Sequence, residues 1–277
     1  MMRLAIAATA VALLLVAGCG SDSPPPAMTA AAPAVERLRI IFPEGLNVRE
    51  MADRVVAVRR IAITKRGVTP KLTRARYLAG VSRARPPKAF VRDWQRGSME
   101  GFLFPALYEF TQFTNGNELV ADQLTAFRKA FARVNLSYAR SKKLTPYDVL
   151  KIASMIEKET VAPRERKLVA AVIYNRLRNK MPLGIDATIR YGLNIPGTES
   201  LTKVALASDN PYNSRRFPGL PPTPIANPGL ASIKAAAHPA AVDYLYYVRI
   251  PGTKRHVFTA SESEFLRKVC EFGYACS

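Results

Sequence analysis

The chain is short of acid, histidine and cysteine. Its 277 residues carry 21 Asp and Glu against 41 Lys and Arg, a formal net charge of +20. The two histidines, His238 and His256, lie far apart, and no spacing among them and the three cysteines matches a zinc site. Metal-centred chemistry is therefore not expected, and no cofactor is expected either. The chain has no Gly-x-Ser-x-Gly elbow, which argues against a serine nucleophile. It has no phosphate-cradling loop or dinucleotide fingerprint, which argues against nucleotide chemistry. Long hydrophobic runs are missing too: the N-terminal one, Leu4 to Ala17, falls short of the ~20 apolar residues that a membrane span needs.

That N-terminal run follows Arg3 and ends on Val16-Ala-Gly-Cys19. A positive residue, a short apolar core and small residues before a cysteine make a lipoprotein signal over residues 1–18, with Cys19 as the lipid-bearing residue. Residues 19–35, with three consecutive prolines and an alanine-rich stretch, hold too few large apolar side chains to pack and are expected to form a disordered tether. The expected address is the outer side of the cytoplasmic membrane, facing the periplasm or cell wall. In an exported protein the basic excess selects anionic lipids and wall polymers as partners, not nucleic acid. Its charges are also scattered, as in Arg59-Arg60, Lys65-Arg66 and Arg83, without a reading helix or an aromatic-studded face. Cys270 and Cys276, separated by Gly273, can form a disulfide in that compartment, closing a loop too short to stabilise much.

Polar–apolar alternation from Arg37 to Phe42 predicts a strand, and Pro43-Glu-Gly45 a turn. Asn47 is a helix cap, and a second short helix is expected from Thr73 to Val81. Apolar residues at helical spacing predict a helix from about Glu118 to Val134. Thr145-Pro146 opens the next helix, with proline at its first turn. Another runs from Ala162 or Pro163 to about Asn179. Tyr244–Val248 and His256–Phe258 read as a hairpin around Pro251-Gly252, with a last helix after Ser261. The fold class is α+β, mainly helical with a few strands.

The helix after Thr145 carries the chemistry. Its segment Ala153-Ser-Met-Ile-Glu-Lys-Glu-Thr160 puts Glu157 between the directions of Ala153 and Leu150, and Glu159 between those of Ile152 and Met155. A carboxyl in apolar surroundings resists ionisation, which suits a general acid. The helical wheel does not choose between the two glutamates, and ion pairs with Arg164, Arg166 or Arg176 are the plainer role for both. Much later come Asn210-Pro-Tyr-Asn213 and Pro218-Gly-Leu-Pro-Pro-Thr-Pro-Ile-Ala-Asn-Pro-Gly229, the latter stiffened by prolines that fix φ and lower the loop's entropy.

Together these stretches resemble the YceG-like (MltG-type) endolytic murein transglycosylases. The resemblance covers most of residues 100–265 and, weakly, 38–55, through Phe42-Pro-Glu-Gly45 and Met51-Ala52. Glu100-Gly-Phe-Leu-Phe-Pro105 resembles the family's entry motif, with Ala106-Leu107 where the family has Asp-Thr. Ala187 and Ser214 replace a proline and a threonine of the family pattern. The resemblance implies a LysM-like module over residues 36–98 and a catalytic domain over 99–277. It makes Glu157, the first acid of Glu-Lys-Glu, the catalytic residue. It implies substrate contacts by Tyr212, Asn213, Asn227, Asp186, Thr188 and Asn175. The implied reaction cuts the MurNAc–GlcNAc bond of nascent peptidoglycan and leaves 1,6-anhydro-MurNAc ends, with peptidoglycan synthases as partners. Two alternatives stay open: a catalytically silent wall-binding scaffold, and a hydrolytic muramidase with a second carboxylate drawn from Asp186, Asp209, Glu100 or Glu165.

Overall fold

The computed structural model describes residues 34–94 and 97–274. Cys19, the signal and most of the tether lie outside the described residues, as does Cys276. Cys270 is disulfide-bonded. From residue 35 onward the described residues form one compact unit. Its elements run β1 (Arg37–Ile41), α1 (Val48–Arg66), α2 (Arg74–Arg83), β2 (Leu107–Thr111), α3 (Gly116–Phe131), α4 (Ser137–Ser141), α5 (Pro146–Glu159), α6 (Arg166–Arg178), α7 (Asp186–Leu193), α8 (Lys203–Leu206), α9 (Leu230–Ala237), β3 (Tyr246–Arg249), β4 (His256–Thr259) and α10 (Glu262–Glu271). The class is α+β. Among the described residues no helix is long and apolar enough to cross a membrane.

The alternation in β1 buries Leu38 and Ile40 and exposes Arg37 and Arg39. Its antiparallel partner is β2, with Leu38 opposite Phe110 and Ile40 opposite Tyr108. This return strand lies beyond position 98, so the sheet joins residues from both sides of the expected module boundary. Asn47 and Glu50 close a capping box on α1, Asn115 and Glu118 on α3, and Thr145 and Asp148 on α5. The helix expected from Ala162 is a 3-10 turn at Pro163–Glu165 followed by α6. The C-terminal hairpin, β3 with β4, has the expected place.

Two apolar cores meet at α5. Its Tyr147 and Leu150 belong to the first, built from β1, α1, α2, β2 and α3. Its Val149, Ile152, Ala153, Met155 and Ile156 belong to the second, with α6, α9 and Leu183 and Ile185 before α7. A helix buried on two sides is a rigid support. Glu157 sits in its last turn, where the burial gives out.

Candidate active site

Glu157 is half-buried, and its Oε2 accepts the backbone N–H of Gly229 at 3.0 Å. Gly229 is the N-cap of α9, so the contact ties the end of α5 to the start of α9. Oε1 of Glu157 has no hydrogen bond among the described residues. The surroundings differ from those expected from the helical wheel, because an amide and a carboxylate stand at the glutamate's head. Gly45 lies beside the Glu157 stem, in a left-handed conformation with φ of 82° that favours glycine. The next residue of α5, Lys158, donates from Nζ to Gly45 O at 3.2 Å.

The second acid of the pair turns elsewhere. Glu159 accepts the hydroxyl of Tyr247 at 3.0 Å, and enclosure by the protein raises its pKa above the ordinary carboxylate value. Neither glutamate forms an ion pair with Arg164, Arg166 or Arg176 among the described residues. Arg176 instead donates to the carbonyls of Leu245 and Leu183, at 2.6 and 2.7 Å.

Asn227 fastens the proline-rich loop to the N-terminal turn. Its Nδ2 donates to Leu46 O at 3.0 Å and to Glu100 Oε1 at 2.8 Å, and its Oδ1 accepts from Leu103 N at 2.9 Å. Its backbone exchanges two further bonds with Gly45 N and Leu46 O. Glu100 is itself buried and also accepts from Val48 N, at 3.2 Å, and Tyr191 Oη, at 3.1 Å. Burial outweighs these donors and pushes its pKa up to about 7.

Tyr212 donates to or accepts from Thr223 Oγ1 at 2.8 Å and packs against Tyr191, with ring centroids 5.1 Å apart. Asn213 is buried, its amide donating to Leu206 O and Ser208 O and its oxygen accepting from Arg215 N. Thr188 is buried on Ile185 O and Ser214 Oγ, so the serine in place of the family threonine still bonds the start of α7. Asp186 is half-exposed and ion-paired with Arg215 at 2.7 Å. Asn175 donates to Val242 O and Tyr244 O, both at 2.9 Å. It lines a cavity of about 530 Å³ with Tyr138, Tyr174 and Arg178 that does not include Glu157. Asp209 is paired with Arg216, and Glu165 with His256. Among the described residues no cluster of His, Cys, Asp or Glu has the makings of a metal site.

Sequence reasoning missed Glu44. It is exposed in the turn after β1, and its carboxylate lies against Gly229, where a Cβ at that position would overlap it. Desolvation and the nearby charge of Glu157 raise its pKa, while Arg166 pulls it down. Position 44 stood inside the Phe42-Pro-Glu-Gly45 match, the one signal that pointed to it.

The YceG-like family model matches residues 22–271. An endolytic murein transglycosylase of Bacillus subtilis (strain 168) is 37% identical over 150 residues, 54% of this chain and 41% of that one. One from Streptococcus pneumoniae (strain R6) is 34% identical over 181 residues, 64% of this chain and 32% of that one. The chain thus spans less than half the length of these relatives. A crystal structure of a YceG-like protein from Listeria monocytogenes is similar with a TM-score of 0.69 and 29% identity, covering 84% of this chain and 75% of that one.

Proposed function

Because the chain belongs to the YceG-like family, we propose that it is a lytic transglycosylase cutting glycan strands of peptidoglycan internally, with Glu157 as its acid and base. The observation that carries this is the seat of Glu157 at the end of a doubly buried helix, one oxygen held by Gly229 N–H and the other without a hydrogen bond among the described residues. The names of the Bacillus and Streptococcus relatives support the reaction class.

Glu157 protonates the oxygen between N-acetylmuramic acid and N-acetylglucosamine as that bond breaks. The resulting carboxylate then takes the proton of the C6 hydroxyl of the muramoyl sugar, whose oxygen closes on C1. No water enters, and the new end is a 1,6-anhydro sugar. One carboxyl serves both steps, provided it does not move between them. The Gly229 contact and the packing of α5 favour that stillness. Tyr212 and Asp186, both partly open to solvent, are the sugar contacts of this reading. Asn227, Asn213, Thr188 and Asn175 support the loops behind them.

The remaining parts of the reading concern the chain as a whole. Residues 1–18 are the lipoprotein signal and Cys19 the lipid anchor, which would hold the enzyme outside the cytoplasmic membrane beside peptidoglycan synthases. The strand–helix–helix–strand order of β1, α1, α2 and β2 supports a LysM-like module, extended to Thr111 by its return strand.

The test is mass spectrometry of products from uncrosslinked glycan strands, with Glu157→Gln alongside. Anhydromuramoyl ends from the wild type, reduced at least ~100-fold in the variant, are the expected result. Reducing ends would replace this reading with hydrolysis. Strand binding without cleavage by either protein would replace it with a scaffold.

A further inference from the structure

We infer that Glu44 is a second catalytic carboxylate of this site, contributed by the turn after β1, whose negative charge stabilises the positive charge that develops on C1 of the muramoyl sugar. The inference rests on the transglycosylase reading and adds a residue to it. The geometry is simple. Glu157 Oε2 is 3.0 Å from Gly229 N, and Glu44 Oε1 occupies the space where a Cβ of residue 229 would stand. N and Cβ of one residue are about 2.5 Å apart, which holds the two carboxylates to within about 7 Å of each other. That upper limit overlaps the roughly 5–9.5 Å at which paired carboxylates of glycoside-cleaving sites flank the scissile bond.

The other acids considered for this place are engaged elsewhere. Asp186 is paired with Arg215, Asp209 with Arg216 and Glu165 with His256, while Glu100 is enclosed among Val48, Tyr191 and Asn227. Glu44 alone of this set is exposed with a carboxylate that makes no hydrogen bond or ion pair among the described residues. A surface glutamate with no structural partner has no evident reason to be set against the residue that holds the catalytic acid. The charged groups facing it are Glu157 from α5 and Arg166 from α6, while Lys158 donates to the carbonyl of the following residue, Gly45. Arg166 keeps a charge near Glu44 without forming an ion pair with it, and its own Nε is buried without a hydrogen-bond partner.

A cation forming at C1 is attracted by a fixed carboxylate in a partly desolvated site, and the gain exists only while the charge is present. No covalent bond to Glu44 is needed. The sugar's own C6 oxygen is the nucleophile, and Glu157 carries the proton in both directions. Glu44 remains ionised throughout, so atoms and charge balance without a further reactant.

The experiment measures cleavage of uncrosslinked glycan strands by the wild-type full chain and by Glu44→Gln, Glu44→Asp and Glu157→Gln, from pH 4 to 8, with product ends identified by mass. Glu44→Gln is expected to lower kcat by about 10- to 100-fold with KM changed less than threefold and anhydro ends retained. Glu44→Asp should recover part of the loss. In the wild type the rate should fall as pH drops through the raised pKa of Glu44, and this acid limb should be absent in Glu44→Gln. Circular dichroism and Tm should match the wild type, since the side chain is exposed. A Glu44→Gln rate within twofold of wild type, with the acid limb kept, overturns the assignment and leaves the transglycosylase reading standing. Selective loss of reducing ends in Glu44→Gln also overturns it, because Glu44 would then be activating water. A wild type that cleaves nothing removes the reaction and the role of Glu44 with it.

Discussion

Asn227 and Glu100 meet side chain to side chain in the interior, Nδ2 donating to Oε1 at 2.8 Å, with neither residue open to solvent. Between them they join the start of α1, at Val48, to Tyr191 of α7 and to the loop that ends at Gly229. The position of the Gly229 amide that meets Glu157 therefore depends on a buried carboxyl well outside α5.

That carboxyl should make stability depend on pH. Burial raises the Glu100 pKa to about 7, against 4.5 for the free group. The folded state thus binds a proton more tightly than the unfolded chain. Its contribution is fully present below pH 4.5 and is lost as pH rises through about 7, levelling off above that. The shift corresponds to about 3 kcal/mol, as an order of magnitude. Denaturant titrations of the wild type should show less stability at pH 8 than at pH 5, and Glu100→Gln should flatten most of that difference. Equal slopes in the two proteins would mean that Glu100 titrates normally.

Removing Asn227 should cost more than its volume suggests. Alanine there leaves Leu103 N–H without its acceptor and Glu100 short of a donor, inside the protein. Each orphaned buried group costs about 1–3 kcal/mol, so Asn227→Ala is expected to lose roughly 2–4 kcal/mol. Strand cleavage should fall as well, because the lost side-chain amide also donates to Leu46 O, next to Gly45 beside the Glu157 stem. Urea unfolding and a cleavage assay on one preparation check both parts.

What was legible in the sequence was local. The caps at Asn47 and Thr145, the apolar faces of α3 and α5 and the C-terminal hairpin all follow from patterns within about twenty residues. Glu157 was placed on its helix by periodicity, but choosing it over Glu159 took a resemblance. The structure gives the physical difference: Glu159 is spent on Tyr247, whereas Glu157 meets a backbone amide. Asn213 and Asn227 look like sugar-binding amides in sequence because nothing local says where an amide's bonds go. Both are consumed by backbone and side-chain partners in the fold. Glu44 was illegible for the opposite reason. Its neighbours, Glu157 and Gly229, are brought to it only by the packing of the N-terminal turn against α5 and α9, and no periodicity encodes that.

His256 should prove structural. Its Nδ1 lies 2.8 Å from Glu165 Oε2, its backbone N–H meets Oε1, and both side chains are nearly solvent-free. Removing one member leaves the other's charge or lone pair buried with a partner missing, at a cost of about 3–5 kcal/mol. His256→Ala is therefore expected to lower Tm markedly while leaving kcat within threefold at a temperature where it stays folded. A large fall in kcat without a fall in Tm would give the histidine a part in the chemistry.

Gly229→Ala separates the position of Glu44 from its charge. The backbone of Gly229, at φ −74° and ψ 166°, is one that alanine adopts without strain. Its amide hydrogen remains available to Glu157. The nearest obstacle is the Glu44 carboxylate, the far end of an exposed and flexible side chain, which a methyl group would push aside. Stability should change by less than about 1 kcal/mol, since no buried contact is lost. Cleavage should nonetheless fall about as far as in Glu44→Gln, although no charge has been removed. The double variant decides the cause: if both changes act by taking the Glu44 carboxylate away from the sugar, Gly229→Ala with Glu44→Gln should be no slower than the slower single variant. Losses that multiply would instead mean that the methyl group disturbs Glu157 directly.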